Sequence, residues 1–286
     1  MREPENIVQK IHRETKLKLY DGHDRVIPAS EKQAELERIK EFVPSFCALT
    51  DLPSLNNCVE GFRKGQLVVL SGPPKQGKSS ICQTFTKHFT SKGIKCLWLE
   101  YELSYDEFLK KFPMENLDFY IPNYMETGNL EWIEDKIIES IQKYGTDIVF
   151  IDHLDFLRDP AVLKGISLNL ASYIGGIVQK IKRIAVEQNV VIFLMSHIRK
   201  NEWTTNKLPS SEELRDTGQT AQLADIVMMI IRKRAARDAD EVYDGTNAIL
   251  GVMENRHNGK TKKIPIQFIG GEFKEIDLNN YSDGYR

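Results

Sequence analysis

A glycine-rich segment between an apolar run and a helical pattern constrains the fold of this chain most strongly. The run Leu67–Leu70 predicts a strand, and after position 80 apolar residues recur at helical spacing. Between them Gly72, Gly77, Lys78 and Ser79 follow the pattern G-x-x-x-x-G-K-S, which is typical of a phosphate-binding loop. A glycine-rich surface turn could carry Lys-Ser by chance, but the strand before, the helix after and all four fixed residues favour a nucleotide-binding loop.

Each part of this loop has an expected task toward ATP. The backbone amides of the loop and the start of the helix would surround the phosphates. Lys78 would reach the β- and γ-phosphates, and the Ser79 hydroxyl would coordinate Mg²⁺. The residues predicted to bind the nucleotide are Gly72, Pro73, Pro74, Lys75, Gln76, Gly77, Lys78, Ser79 and Ser80.

Composition limits the other functions of the chain. Its 286 residues include 39 lysine and arginine residues against 41 aspartate and glutamate residues, a net charge of −2. No general basic field therefore attracts nucleic acid, and such contacts would come from local loops or from several subunits around one axis. The four cysteines lack metal-binding spacing and are interpreted as reduced, intracellular residues. With no apolar run of membrane length and no signal peptide, the sequence predicts a cytoplasmic protein without membrane contact.

The order of apolar segments predicts an α/β fold. Continuous apolar strands alternate with amphipathic helices, which indicates a mostly parallel sheet covered on both faces. The tail from Ala248 to Ile276 contains turn residues typical of antiparallel β-hairpins. We therefore expect a RecA-type P-loop core over 46–286 with a C-terminal hairpin extension. An N-terminal arm over 1–45 would carry a helix from Ser30 to Val43, which either folds back on the core or docks on a neighbouring subunit.

Acidic residues at predicted strand ends are the candidate metal ligand and general base. Asp152 ends the apolar run I-V-F-I-D and would hold Mg²⁺ beside Ser79, although it could merely cap the next turn. Glu102 ends the predicted strand Ile94–Glu102 and could activate the attacking water. Glu100 lies on the same side by strand alternation, and either glutamate could instead be a solvated charge. Glu102 is preferred because it lies further toward the crevice.

Basic and aromatic residues near later strand ends are further candidates. His197 follows a buried strand and could sense the γ-phosphate, although a lone histidine is often structural. The long loop after it carries residues suited to the backbone of single-stranded DNA, or it is a solvated surface loop. Its candidate DNA-binding residues are Arg199, Lys200, Lys207 and Arg215, with the segment from Arg158 to Lys164 as a second candidate. Arg256 could form a surface ion pair or reach a nucleotide.

The ordered set of motifs resembles the hexameric replicative helicases of the DnaB type, especially the helicase half of phage primase-helicases and mitochondrial Twinkle. The segments that carry the resemblance are 61–72, 97–104, 196–200, 213–225 and 254–259. The resemblance implies that Glu102 is the catalytic base and His197 the sensor. It also implies that Arg256 acts on the nucleotide of the adjacent subunit, and that the Ser30–Val43 helix docks on that subunit. The family's lysine two residues before this arginine is Glu254 here.

The resemblance implies a ring, expected to be a hexamer, that uses ATP and Mg²⁺ to move on single-stranded DNA and unwind duplex during replication. A primase or a helicase loader would be a further partner, in the cytoplasm or, for a phage-encoded chain, the host cytoplasm. One alternative is a RecA-like DNA-binding ATPase that forms filaments or loads other proteins without unwinding. Another is a nucleotide switch that regulates a protein partner and ignores DNA.

Overall fold

The chain divides into two units, Met1–Phe46 and Cys47–Arg286. The computed structural model describes residues 26–42, 45–112, 118–158, 170–197, 222–232 and 247–276. In the first unit, helix α1 spans Ala29–Phe42, close to the predicted start, and contains the exposed pairs Lys32–Glu35 and Gln33–Glu37. The apolar side chains of Leu36 and Ile39 are 45% and 47% exposed. Val43, where the sequence predicts the end of this helix, lies outside the described residues.

A nine-stranded sheet forms the centre of the second unit. Its strands are β1 Leu67–Gly72, β2 Cys96–Glu100, β3 Phe119–Tyr120, β4 Ile148–Asp152, β5 Val191–His197, β6 Ile226–Arg232, β7 Asn247–Asn255, β8 Lys262–Ile269 and β9 Glu272–Glu275. They lie in the order β3-β2-β4-β5-β1-β6-β7-β8-β9, parallel from β3 to β6 and antiparallel from β6 to β9. Both the parallel sheet and the antiparallel C-terminal hairpins predicted from the sequence are confirmed.

Helices connect the strands and cover the sheet. They are α2 Pro53–Val59, α3 Lys78–Ser91, α4 Tyr105–Leu109, α5 Leu130–Tyr144 and α6 Leu170–Glu187, with a 3₁₀ helix at Leu154–Leu157. No helix is predicted between 46 and 65 from the sequence, but α2 forms there, with Pro53 in its first turn and Leu55, Cys58 and Val59 buried. No helix in the described stretches is both long and apolar enough to cross a membrane.

The two faces of the sheet bury different kinds of side chain. One face packs against α5 and α6 through aliphatic residues such as Ile133, Ile137 and Ile181. The other contains an aromatic cluster in which the Phe193 ring lies 4.9 Å from the rings of both Phe62 and Phe150. Because both faces are covered, the central strands are apolar along their whole length, which is the pattern read from the sequence.

Candidate nucleotide-binding site

Two glycines let the phosphate-binding loop lie close to β6 and β9. Gly72 has φ 152°, and a Cβ there would lie 2.6 Å from the carbonyl oxygen of Ile230. Gly77 has φ 100°, and its Cβ would lie 3.0 Å from Cζ of Phe273. At both positions a side chain would meet packed atoms and a backbone conformation that L-residues rarely adopt. The loop therefore leaves β1 and enters α3 along a path that requires glycine.

The Lys78 ammonium group is held inside this loop. Its Nζ donates to the carbonyl oxygens of Gly72 and Pro73, each at 3.0 Å, and contacts Nδ1 of His197 at 2.9 Å. Burial lowers the pKa of Lys78 to about 8, while nearby carboxylates act in the opposite direction. A phosphate oxygen would give this desolvated cation an anionic partner in place of two carbonyl groups and an imidazole.

Ser79 and Asp152 form a close pair beside the lysine. The Ser79 hydroxyl donates to Oδ2 of Asp152 at 2.5 Å. Asp152 is 1% exposed, and its pKa is raised to about 6 chiefly because burial disfavours the charged form. Its Oδ1 is buried without a hydrogen-bond partner among the described residues. A hydroxyl oxygen next to an unsatisfied carboxylate oxygen is a donor set that suits Mg²⁺.

The chain turns at the end of β2, which changes the expected position of Glu102. The strand ends at Glu100 and not at Glu102, because Oε1 of Glu100 accepts the backbone N–H groups of Glu102 and Leu103, each at 2.9 Å. The predicted strand Ile94–Glu102 is therefore two residues too long at this end, and strand alternation does not place Glu102 on the side of Glu100, since Glu102 lies in a bend and is exposed. Glu100 is 2% exposed, and burial, followed by the charge of Asp152, raises its pKa to about 8.

Glu102 lies near two histidines. One ligand-type atom of each of Glu102, His153 and His197 lies within 4.8 Å of the others, and the two imidazole rings are 4.2 Å apart and close to perpendicular. Burial is the main cause that lowers the pKa of His153 to about 4 and also lowers the pKa of His197. Both rings are therefore neutral at pH 7. His153 is not among the candidate residues predicted from the sequence, although its place directly after Asp152 is a signal that could have indicated it.

Arg232 is a second residue near the loop that the sequence analysis does not identify. Its backbone N–H donates to Oε1 of Gln76 at 2.7 Å, so the amide oxygen of the buried Gln76 side chain is bound to β6. A Cβ at Gly77 would lie 3.5 Å from a guanidinium nitrogen of Arg232. Arg232 ends β6, which pairs with β1, and that neighbouring strand end is the feature that could have drawn attention to it.

Arg256 lies at the opposite end of the sheet from the loop. It follows Asn255, which pairs with Ile226, and Ile226 in turn pairs with Val68 near the start of β1. The six residues of β1 span about 17–20 Å at roughly 3.3 Å per residue, and the loop begins beyond them. The Arg256 guanidinium donates to the carbonyl oxygen of Gln222. Arg256 therefore lies too far away to contact a nucleotide bound in its own loop.

The predicted DNA-binding residues Arg199, Lys200, Lys207 and Arg215 all lie outside the described residues, as does most of the Arg158–Lys164 segment. Arg158 itself is described, and its guanidinium binds the carboxylate of Asp155.

Comparison with protein families identifies the chain. Residues 109–275, more than half of its length, match the DnaB-like helicase C-terminal domain. The chain belongs to this family. The matched range contains Asp152, His197 and Arg256, and the family resemblance read from the sequence motifs is confirmed.

Individual relatives agree with this membership. The chain is 25% identical over 261 residues to a probable replicative DNA helicase of Trieres chinensis, covering 78% of this chain and 55% of that protein. It is 21% identical over 274 residues to the replicative DNA helicase DnaB of Buchnera aphidicola subsp. Baizongia pistaciae, covering 82% and 57%. The chain thus spans just over half the length of these relatives.

Two solved structures share the fold. One is an isolated ATPase domain, which superposes with a TM-score of 0.71 at 18% identity, covering 88% of this chain and all of that one. The other is a DnaB-like replicative helicase studied for its interactions with primase, which superposes with a TM-score of 0.67 at 18% identity, covering 95% and 72%.

Proposed function

We propose that this chain is an ATP-driven motor of replicative DNA unwinding, which forms a ring, moves along single-stranded DNA and separates the duplex. The observation that carries the proposal is the convergence of Lys78, Ser79, Glu102, Asp152 and His197. These residues come from the carboxyl ends of the three neighbouring parallel strands β2, β4 and β5 and from the helix after β1. Ligands of open α/β sheets bind at this carboxyl edge of the strands.

In the proposed reaction each residue has one task. Ser79 and Asp152 would hold Mg²⁺, which supplies Lewis-acid neutralisation of charge on the phosphates. Lys78 exchanges its carbonyl and imidazole contacts for the β- and γ-phosphates. Glu102 accepts a proton from the attacking water. His197, released from Lys78, contacts the γ-phosphate and transmits its presence to the loop that follows β5.

The ring is proposed because Arg256 cannot reach the phosphate-binding loop of its own chain. That residue lies at the far end of the sheet, so it can stabilise the transferring phosphoryl group only on a neighbouring subunit. A closed assembly of identical subunits, expected to be a hexamer, gives every site such a neighbour. Arg256 would leave the Gln222 carbonyl when it engages the nucleotide.

Contact with DNA is assigned to the segment after β5, for which the sequence predicts a long loop. Arg199, Lys200, Lys207 and Arg215 would bind phosphates of a single strand, and several copies around one channel would compensate for the net charge of −2. The DnaB-like helicase of similar fold was solved in a study of its interactions with primase. A primase or a loader is accordingly a candidate partner here, in the cytoplasm.

Two assays on the purified chain test this function. ATP hydrolysis is measured with and without oligo-dT, and strand separation is measured on a forked duplex, with Lys78→Ala as the inactive control. The proposal expects DNA to stimulate hydrolysis and ATP to drive unwinding. Stimulated hydrolysis without unwinding would support the DNA-binding ATPase alternative, and hydrolysis that ignores DNA would exclude the motor.

The basic loop has its own test. Replacing Arg199, Lys200 and Lys207 together by alanine should weaken oligo-dT binding and remove the DNA stimulation of hydrolysis. Hydrolysis without DNA should stay at the parent's rate, because the proposal assigns none of these residues to the phosphate site. Stimulation that survives the triple replacement would contradict the assignment of this loop to DNA.

A further inference from the structure

Two carboxyl groups lie next to each other in the buried part of the site. Glu100 ends β2 and Asp152 ends β4, and the two residues are paired across these parallel strands. Paired residues on adjacent strands present their side chains on the same face of the sheet. Both are almost fully buried, at 2% and 1% exposure. The proposed reaction uses Asp152 but gives no task to Glu100.

Each of these carboxyl groups has one oxygen that is satisfied and one that is not. Glu100 Oε1 accepts two backbone N–H groups, and Asp152 Oδ2 accepts the Ser79 hydroxyl. Glu100 Oε2 and Asp152 Oδ1 are buried and have no hydrogen-bond partner within the described part of the chain. Buried carboxyl oxygens normally have a hydrogen-bond donor or coordinate a cation. Two unsatisfied oxygens from adjacent strand ends therefore share a positive charge, either the proton that the raised pKa of Glu100 retains or a bound cation that replaces it.

We propose that Glu100 is a second carboxylate of the divalent-cation site, with its Oε2 binding either the cation held by Ser79 and Asp152 or a water of that cation. This inference rests on the proposed function, because the same cation accompanies the nucleotide. Mg²⁺ commonly keeps several waters and is bound by only one or two protein carboxylates. Glu100 and Asp152 together supply that number.

The same side chain would link the cation to the general base. Oε1 of Glu100 fixes the bend that carries Glu102, while Oε2 is the oxygen left for the cation. Glutamine at position 100 separates the two tasks, because its amide oxygen still accepts the two N–H groups but its nitrogen cannot bind a cation. Glu100→Gln is therefore a sharper variant than Glu100→Ala, which removes both contacts.

The test measures cation binding directly on the full chain. Mn²⁺ replaces Mg²⁺ as a paramagnetic probe, and its binding to the ADP complex is followed by electron paramagnetic resonance. Glu100→Gln should raise the Kd for Mn²⁺ at least tenfold, and ADP affinity in EDTA should remain within twofold of the parent. Glu131→Gln, which removes a charge from the exposed face of α5, should bind Mn²⁺ like the parent.

The possible outcomes separate this inference from the proposed function. If Glu100→Gln binds Mn²⁺ as tightly as the parent, Glu100 acts only on the bend and the inference is overturned. If the parent with ADP binds no Mn²⁺, the proposed metal site of Ser79 and Asp152 fails as well. A thermal melt of each variant without cation shows whether it is folded. Asp152→Asn provides the reference for loss of the carboxylate that the proposed function already assigns to the cation.

Discussion

At the scale of single residues, the Asp152 carboxylate gives a prediction about pH and stability. Its pKa in the folded chain is about 6, against an ordinary value of 3.8. A raised pKa stabilises the fold at low pH, and this contribution is lost as pH rises through the folded value. The shift corresponds to roughly 3 kcal/mol. Asp152→Asn should therefore stabilise the nucleotide-free chain at pH 8 by an amount of this order, and the gain should vanish below pH 4.

Urea denaturation of parent and variant at pH 4 and pH 8 measures this difference. His153, whose pKa is lowered to about 4, titrates in both proteins and cancels when they are compared at one pH. Asp135→Asn, at an exposed position on α5, is the matched control, because it removes a carboxylate that solvent reaches. If Asp152→Asn changed the free energy of unfolding equally at both pH values, burial would not disfavour the charged form of Asp152.

Glu102 gives a prediction about catalysis. Glu102→Gln keeps the size of the side chain but cannot accept a proton from water, so kcat should fall about 10²- to 10⁴-fold. ADP affinity should stay within about twofold, because binding depends mainly on the loop and Lys78. Steady-state hydrolysis measures kcat, and titration with a fluorescent nucleotide measures ADP affinity. Undiminished turnover would remove Glu102 from the role of base.

At the scale of secondary structure, the close contact between β1 and β6 explains why residue 72 is a glycine. A Cβ at Gly72 would meet the Ile230 carbonyl oxygen at 2.6 Å, whereas a Cβ at Gly93, also at positive φ, would meet nothing within 4 Å. Gly93→Ala should cost about 1 kcal/mol for backbone strain alone. Gly72→Ala should cost about 3 kcal/mol, because the strands must also move apart. The denaturant midpoints of the two variants measure these costs. Equal costs would show that β6 moves away from residue 72 without loss of stability.

Some of the secondary-structure elements can be predicted from local patterns in the sequence. The apolar run of β6 and the amphipathic pattern of α5 can be read directly from the sequence, and Ser104, a residue type that favours helix caps, forms a capping box with Glu107. These features depend on local periodicity and on neighbours a few residues away. The bend after Glu100 depends on the direction in which Oε1 of Glu100 points. The spacing of residues in the sequence does not determine that direction.

Contacts between distant strands are harder to foresee. His153 and Arg232 reach the site because β4, β5, β1 and β6 lie side by side in an order that the sequence does not specify. The motif residues can be found because their spacing is fixed by contact with one phosphate group. Residues that approach the same place from other strands carry no such spacing, and only the sheet order brings them together.

At the scale of the whole molecule, the sheet separates the phosphate-binding loop from Arg256. The loop and Glu102 lie at the carboxyl ends of the parallel strands, and Arg256 lies near their amino ends. A complete site would therefore need two subunits, each contributing one edge. Such a site can be rebuilt from two defective proteins, since a subunit without Arg256 retains its base and a subunit without the base retains Arg256.

Mixing Arg256→Ala with Glu102→Gln should therefore restore hydrolysis although each variant alone is inactive. With random assembly of equal amounts, about a quarter of the interfaces pair an intact Glu102 with an intact Arg256, so the mixture should approach that fraction of the parent's rate. The double variant mixed with either single variant is the control, because no interface then contains both groups. If the two single variants stay inactive when mixed, under conditions in which the parent forms rings, Arg256 does not act across the interface.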